Sequence, residues 1–464
     1  MTFNIALVGC GGMGRRHALG YIELRKYFDT VSLAAVCDVH RDVASTVAEI
    51  IGEATGARPD IYTDFDEMLE RADLDGVAIV TSTPMHHRFA IKAMEAGLHV
   101  ITEKPMGLTL KACRQMRYVA STTGVTLAIA ENFRRDPMNR LTRALITSGV
   151  IGTPYFTLDM HVGSSNGAVM HSTVWRAKKN QAGGMVLDAG VHNADLLLYL
   201  MGGADSVFAE TSTFESDRTL RPMSEVAPGL AKLYDHRRED GYSTGDSVEH
   251  TAVDTAFGLI RFDSGAIGQL SMTDTSHGQS LAVSTISGSD GTLYRPRSRS
   301  GESPRIVRRD GVEITGDALL ELVPDFELDD STSTLWDGAR RISSYDLEFS
   351  TIDSKILAYE YLDMVRAVET GGQPEVGVRE GMDALALAYA LMESGLKGAP
   401  VTVNDVAEGR VSEFQDEIDI EMGNSWINCS AGGFLGIPKV FSLDIRARIF
   451  YGFDRLQVSQ PRQL

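Results

Sequence analysis

The sequence predicts an α/β protein: a doubly wound parallel sheet first, then an α+β domain with an antiparallel or mixed sheet. Three observations carry this. The first 130 residues alternate short apolar runs with helical patterns, as parallel strands covered on both faces do. A glycine-rich turn follows the first run directly. After about Phe133 the grammar changes, and two strand-like runs are joined by Asp263-Ser264-Gly265, a hairpin signal.

Strands are expected at Ile5–Val8, Val31–Cys37, Gly76–Val80, His99–Thr102 and Thr126–Ala130. Helices are expected at Met13–Tyr27, Arg41–Ile51, Phe65–Glu70, Arg88–Ala96 and Leu110–Thr123. The second half should hold a helix at Pro137–Thr147, a strand at Tyr155–Val162 and a strong helix at Gly184–Leu200. The strands Phe257–Phe262 and Ala266–Met272 follow, then helices at Lys355–Thr370 and Arg379–Gly395. The limits expected are 1–132 for the first domain, 133–403 for the second and 404–464 for a C-terminal extension. Segments 215–247 and 295–345 read as insertions, and the extension holds a strand-like Val440–Ile445.

A chain of 464 residues with 43% hydrophobic and 7% aromatic side chains is neither disordered nor collagen-like. With 63 acidic against 44 basic residues, its net charge of −19 disfavours nucleic acid and anionic membrane as partners. No apolar run approaches the ~18–20 residues that span a bilayer. Cys10, Cys37, Cys113 and Cys429 form no CxxC pair, which fits a reduced compartment. Leu7-Val8-Gly9-Cys10 superficially resembles a lipoprotein cleavage site. No Lys or Arg precedes it and its apolar run is too short, so a buried strand in a cytoplasmic protein is expected.

The turn after Ile5–Val8 reads Gly9-Cys10-Gly11-Gly12-Met13-Gly14, a GxGxxG motif at Gly9, Gly11 and Gly14. In a strand–turn–helix context the first glycine makes the tight turn and the second admits a pyrophosphate. The third lets the helix pack closely, and that helix N-terminus holds negative charge. A plain glycine turn is the bland alternative. Asp38 ends the next strand, 24 residues beyond Gly14, where a carboxylate binds adenosine ribose and repels a 2′-phosphate. This favours NAD over NADP, although Arg41 could soften the preference.

Three further features point to chemistry. Lys104 lies in Glu103-Lys104-Pro105 at a strand's carboxyl end, where ligands bind on open α/β sheets and a cation could steady an alkoxide. Asp188, His192, Asp195 and Tyr199 fall on one stripe of the helix Gly184–Leu200. There a carboxylate one turn from an imidazole could orient a general base; a solvent-facing polar stripe is the alternative. His86-His87 lies beyond another strand end. Either histidine could touch a ligand or have no role, and the pair lacks metal-site spacing.

Together these residues resemble the Gfo/Idh/MocA family of NAD(P)-dependent oxidoreductases, over about residues 3–403. The marks are the glycine motif, Asp38, Thr81 to His86, Ala96-Gly97-Leu98-His99-Val100 and Glu103-Lys104-Pro105. Asn132-Phe133-Arg134, Trp175-Arg176, Gly183-Gly184, Asp188 to Asp195, Pro374 and Glu393-Ser394-Gly395 continue them. The resemblance implies a Rossmann domain, then a domain with a large open-faced, mostly antiparallel sheet that makes subunit contacts in a homo-oligomer. It implies catalysis by Lys104, Asp188 and His192, with Asp188 orienting His192 or touching a substrate hydroxyl. It implies cofactor binding by Gly9, Gly11, Gly12, Met13, Gly14, Asp38, Thr81, Ser82, His86, Glu103 and Lys104. Asn132, Arg134, Trp175, Arg176, Asp188 and His192 would bind substrate. Thr83 departs from the Asn of many members, and the insertions leave substrate identity open.

The expected function is NAD-dependent hydride transfer on a secondary hydroxyl of a sugar, cyclitol or glycoside, with no metal. The same site could instead recycle NAD in an oxidation–elimination or an epimerisation. A non-enzymatic NAD sensor is a third reading, which has no need of Lys104, Asp188 and His192 together. The six arginines between Arg295 and Arg309 could meet an anionic substrate or a partner's acidic patch, such as the seven carboxylates between Asn404 and Met422; a solvated loop is the alternative.

Overall fold

Six short strands open the chain in the computed structural model, which describes residues 2–164, 169–181, 183–234 and 241–423. They are β1 (Phe3–Val8), β2 (Val31–Cys37), β3 (Asp60–Tyr62), β4 (Gly76–Ile79), β5 (His99–Glu103) and β6 (Leu127–Ala130). All pair in parallel, in the order β3-β2-β1-β4-β5-β6. Between them run α1 (Gly12–Arg25), α2 (Arg41–Thr55), α3 (Phe65–Arg71), α4 (Thr83–Glu95) and α5 (Leu110–Thr123). The order reverses between β1 and β4, which opens a crevice beyond their carboxyl ends.

Two differences from expectation have local causes. The edge strand β3 escapes a pattern search because its three residues, Asp-Ile-Tyr, form no apolar run. Helix α4 starts five residues early, with Pro84 preset in its first turn and Ser82 at its N-cap.

The second half contributes α6 (Pro137–Thr147), β7 (Pro154–Ser164), α7 (Gly190–Met201) and β8 (Ala204–Ser212). A two-stranded ribbon follows, β9 (Asp217–Thr219) with β10 (Ser247–Glu249). Next come β11 (Thr255–Phe262), β12 (Ile267–Ser276), β13 (Leu281–Gly288), β14 (Gly291–Tyr294), β15 (Arg305–Arg308), β16 (Glu313–Thr315) and β17 (Val401–Thr402). The nine-stranded sheet runs β16-β15-β14-β13-β7-β12-β11-β8-β17, antiparallel except between β7 and β12. The β11–β12 hairpin turns at Asp263-Ser264-Gly265 as expected, with Gly265 at φ +86°.

Alternation along β11 and its neighbours gives this sheet two unlike faces. Val207, Ala209, Ala256, Ile260, Leu270 and Met272 are buried in one core with α7 and the helix Val378–Lys397. Phe156, Leu158, Phe208, Phe257, Leu259 and Ile267 are exposed on the other side. Segment 295–345 extends the sheet edge through β15 and β16. After residue 404 the helix Glu413–Glu421 is tied to the start of α5: Thr109 Oγ1 donates to Asp419 and the Leu110 N–H to Gln415 Oε1, both at 2.9 Å. Val440–Ile445 and Cys429 lie outside the described residues.

The helix Phe349–Thr370 returns to the first sheet, sharing a core with Ile5, Leu7 and Leu24 through Ile352, Ile356, Tyr361 and Val365. It crosses α1 at Gly20, where a Cβ would stand 2.6 Å from Leu357 Cβ. Among the described residues no helix is long and apolar enough to cross a membrane, and Cys10, Cys37 and Cys113 are buried free thiols. Gly20→Val is expected to force the two helices apart and cost about 1–3 kcal/mol, read as a lower urea midpoint.

Candidate active site

The glycine turn makes a cradle that side chains would fill. Gly9 has φ +94°, and a Cβ there would lie 2.6 Å from Val80 O. A Cβ on Gly14 would lie 2.1 Å from Gly9 O, while one on Gly11 would meet open space. A bare N-terminal turn with room at Gly11 fits the pyrophosphate of a dinucleotide. Gly12 lies under the Tyr234 ring, and Met13 is half-buried beside it. At the end of β2 the Asp38 carboxylate accepts from the N–H groups of Cys10 (2.8 Å) and His40 (2.9 Å), which fastens it at the crevice. Thr81 and Ser82 form the β4–α4 link; Ser82 is exposed and Thr81 half-buried.

His86 does not face this crevice. It is buried with Nδ1 2.9 Å from Pro105 O and Nε2 3.1 Å from Thr81 O. The ring joins the loop after β5 to the loop after β4 and has no nitrogen left for a ligand. Glu103 also turns inward. Its carboxylate takes His17 Nε2 (3.1 Å) and the Lys104 N–H (2.9 Å), which locks α1 to the end of β5.

Lys104 leaves that strand end and reaches the second half of the chain. Its Nζ donates to Asp188 O at 2.7 Å and Asp188 Oδ1 at 2.8 Å. Arg176 Nε holds the other carboxylate oxygen at 2.8 Å, and its guanidinium lies 4.2 Å over the Trp175 ring. Burial pushes the Asp188 carboxyl up, but the Lys104 and Arg176 charges outweigh it and hold the group well below the usual carboxylate range. Asp188 lies in a π-helical turn, Met185–Ala189, that precedes α7 where a continuous α-helix was expected. Gly183 and Gly184, at φ +71° and +66°, lead into it. Such wide turns recur at functional sites.

One turn on, His192 is buried, and its partner is Glu131 rather than Asp188. Nδ1 lies 2.7 and 2.8 Å from the two Glu131 oxygens. Facing a carboxylate, Nδ1 carries the hydrogen, which leaves Nε2 as an acceptor. Phe133 stacks on the imidazole at 4.3 Å and 10°, and its N–H donates to Glu131 Oε1 at 3.0 Å. Burial pushes the imidazole below its ordinary 6.5, against the pull of the Glu131 charge and with the push of Lys104. Burial raises the Glu131 carboxyl, but the His192 charge and hydrogen bond, with Lys104, outweigh it and hold the group below the usual carboxylate range. The imidazole is therefore neutral and the carboxylate charged at neutral pH.

The stripe of polar side chains on this helix is thus an interior one. Asp195 is buried and gripped at both oxygens by Arg134, whose Nε donates at 2.9 Å. The Arg134 guanidinium lies 5.0 Å over the Tyr199 ring. Asn132 is buried, and its Oδ1 has no partner among the described residues. The structure brings Lys104, Asp188, Arg176 and Trp175 into one group and His192 into another with Glu131 and Phe133. Sequence reasoning missed Glu131. The available signal was its place just beyond β6, a strand end equivalent to that of Lys104. Among the described residues no cluster of His, Cys, Asp and Glu could hold a metal ion.

Residues 3–131 match the family model described as an oxidoreductase family, NAD-binding Rossmann fold, and residues 143–403 match its C-terminal alpha/beta domain. The chain is 25% identical over 410 residues to levoglucosan dehydrogenase from Pseudarthrobacter phenanthrenivorans, covering 88% of this chain and 99% of that protein. It is 26% identical to myo-inositol 2-dehydrogenase from Thermotoga maritima, covering 84% and 96%. Among solved structures, levoglucosan dehydrogenase in complex with NADH shares the fold at TM-score 0.68 and 22% identity, over 87% of this chain and 99% of that one. Gly14→Ala is expected to drive backbone against backbone at Gly9 and weaken NADH binding by at least about tenfold, read by fluorescence titration.

Proposed function

Because the chain belongs to the Gfo/Idh/MocA oxidoreductase family, we propose that it transfers hydride between NAD and a secondary hydroxyl of a sugar, cyclitol or glycoside. The observation that carries this reading is an amine at the end of the first sheet whose charge acts on a buried imidazole of α7, each of the two groups held by its own carboxylate. The named relatives, dehydrogenases of levoglucosan and of myo-inositol, support a polyhydroxylated substrate.

In this reading His192 Nε2 takes the proton of the hydroxyl. Glu131 faces the imidazolium that results and stabilises it without itself being protonated. Lys104 Nζ donates to the developing alkoxide, and Asp188 with Arg176 keeps that amine in place. Bound NAD supplies the acceptor for the hydride that leaves the same carbon. Asp38 disfavours a 2′-phosphate at the adenosine ribose and so favours NAD over NADP. We further propose that the exposed apolar row from Phe156 to Ile267 meets a second copy of the chain, since a contiguous patch of that kind marks an interface. Buried, unpaired cysteines fit a cytoplasmic setting.

A panel of sugars, inositols and glycosides, followed for NADH and product together, tests the reading. Turnover with net NADH is expected; product formed with only catalytic NAD would move the assignment to a redox-neutral reaction. His192→Ala should lose about 10²–10⁴ in rate while still binding NADH. Activity should fall on acidification as His192 is protonated, with a midpoint below 6.5. Glu131→Gln removes a charge that favours the imidazolium, so it should move that acid limb to lower pH and also lower kcat. Leu259→Asp, on the open sheet face, should shift the mass measured by light scattering toward the monomer and leave the melting transition cooperative.

A further inference from the structure

Among the arginines between 295 and 309, Arg297, Arg308 and Arg309 stand at the surface. Arg295 is committed to Asp159 (3.2 Å) and Ser284 (2.9 Å). Arg299 differs. Its backbone sits at φ +62°, one of two non-glycine residues with positive φ among those described. That conformation costs on the order of 1 kcal/mol and persists where the surroundings impose it. Here the surroundings are Asp136, which accepts the Arg299 N–H at 2.5 Å, the Met138 N–H at 2.9 Å and the Tyr345 hydroxyl at 3.0 Å.

The turn aims the guanidinium inward. It lies 5.1 Å over Phe133 and 5.0 Å over Phe349. Phe133 is also the ring that stacks on His192, so the guanidinium and the imidazole share one aromatic neighbour, and the Arg299 charge acts on the imidazole. Of its five N–H groups, one has an acceptor among the described residues, Nη1 to Asp353 Oδ1 at 3.3 Å. Asp353 is already gripped by Arg16 at 2.8 and 2.5 Å, and Arg299 Nε has no partner among the described residues. Burial and the neighbouring Arg16 charge lower the guanidinium's proton affinity, against the pull of Asp353, Asp136 and Glu131.

From the juxtaposition of Arg299, Phe133 and His192 we propose that the enzyme selects a sugar acid, whose carboxylate pairs with Arg299 while its hydroxyl lies at His192. This rests on the hydride-transfer reading above. A planar fork with spare N–H groups matches a carboxylate edge on, and a single shared cation suits a monoanion better than a phosphate. A protein of net charge −19 repels anions at long range, so an acidic substrate needs a local cation of this kind.

The test compares hexuronates, glycosiduronates and aldonates with their neutral parents, using NAD, in the wild type, Arg299→Gln and Arg299→Lys. The wild type should prefer the acid by about 10- to 100-fold in kcat/KM, the worth of one charged hydrogen-bonded pair. Arg299→Gln should abolish that preference, raising KM for the acid more than for its neutral parent. Arg299→Lys should restore part of it. NADH affinity should stay within about twofold of wild type. Preference of the wild type for neutral sugars would overturn the proposal, as would equal losses on both members of a pair. A loss of NADH affinity in Arg299→Gln would reassign the fork to the cofactor's phosphates and overturn it too. Should no compound reduce NAD, the hydride-transfer reading itself falls, and this inference with it.

Discussion

The contact between Glu131 and His192 is the constraint on which the proposed chemistry depends. It is made across 61 residues, from the end of β6 to the first turn of α7, and it fixes the ring by both carboxylate oxygens. A buried imidazole without that partner would be free to rotate and to choose either tautomer. With it, Nδ1 is the donor and Nε2 is left as an acceptor. Phe133 reinforces the geometry twice, through its ring on the imidazole and its N–H on the carboxylate. Buried pairs of this sort add little net stability, but removing one member leaves the other costly. Their contribution here is orientation.

The rest of the scaffold holds the second group, the Lys104 amine, on Asp188. Lys104 stands at the end of β5 because Glu103 is locked to His17 of α1 and His86 fastens the loop beyond Pro105. Asp188 then receives the amine through both its side chain and its carbonyl, from a π-helical turn entered through two left-handed glycines. Two carboxylates thus serve two functional groups, and burial does not neutralise either. Asp188 is held ionised by two cations, Glu131 by the imidazole and Lys104.

Much of this was legible before any coordinates. The glycine spacing dictated the strand–turn–helix, because only glycines fit where Gly9 and Gly14 approach backbone. Strand-end position singled out Lys104, and helical periodicity put Asp188 and His192 on neighbouring turns. Other parts were hidden for physical reasons. Adjacency on a helix suggested that Asp188 orients His192, but the true partner comes from a distant strand, and no local period reports a tertiary contact. His86 reads as a ligand contact because a histidine beside a crevice has the right chemistry; the two backbone carbonyls that its nitrogens meet are invisible in sequence. Arg299 sits in a stretch whose polarity suggests a solvated loop, and its burial follows from aromatic neighbours at 133 and 349.

The most direct test is the protonation state of one ring. Nitrogen NMR of the free enzyme with ¹⁵N-labelled histidine, the His192 signals identified by their loss in a His192 variant, should show a neutral imidazole at neutral pH. Nδ1 should be protonated and Nε2 bare. An imidazolium at that pH, or a neutral ring protonated at Nε2, would contradict the account, since neither could accept the proton of a substrate hydroxyl at that nitrogen.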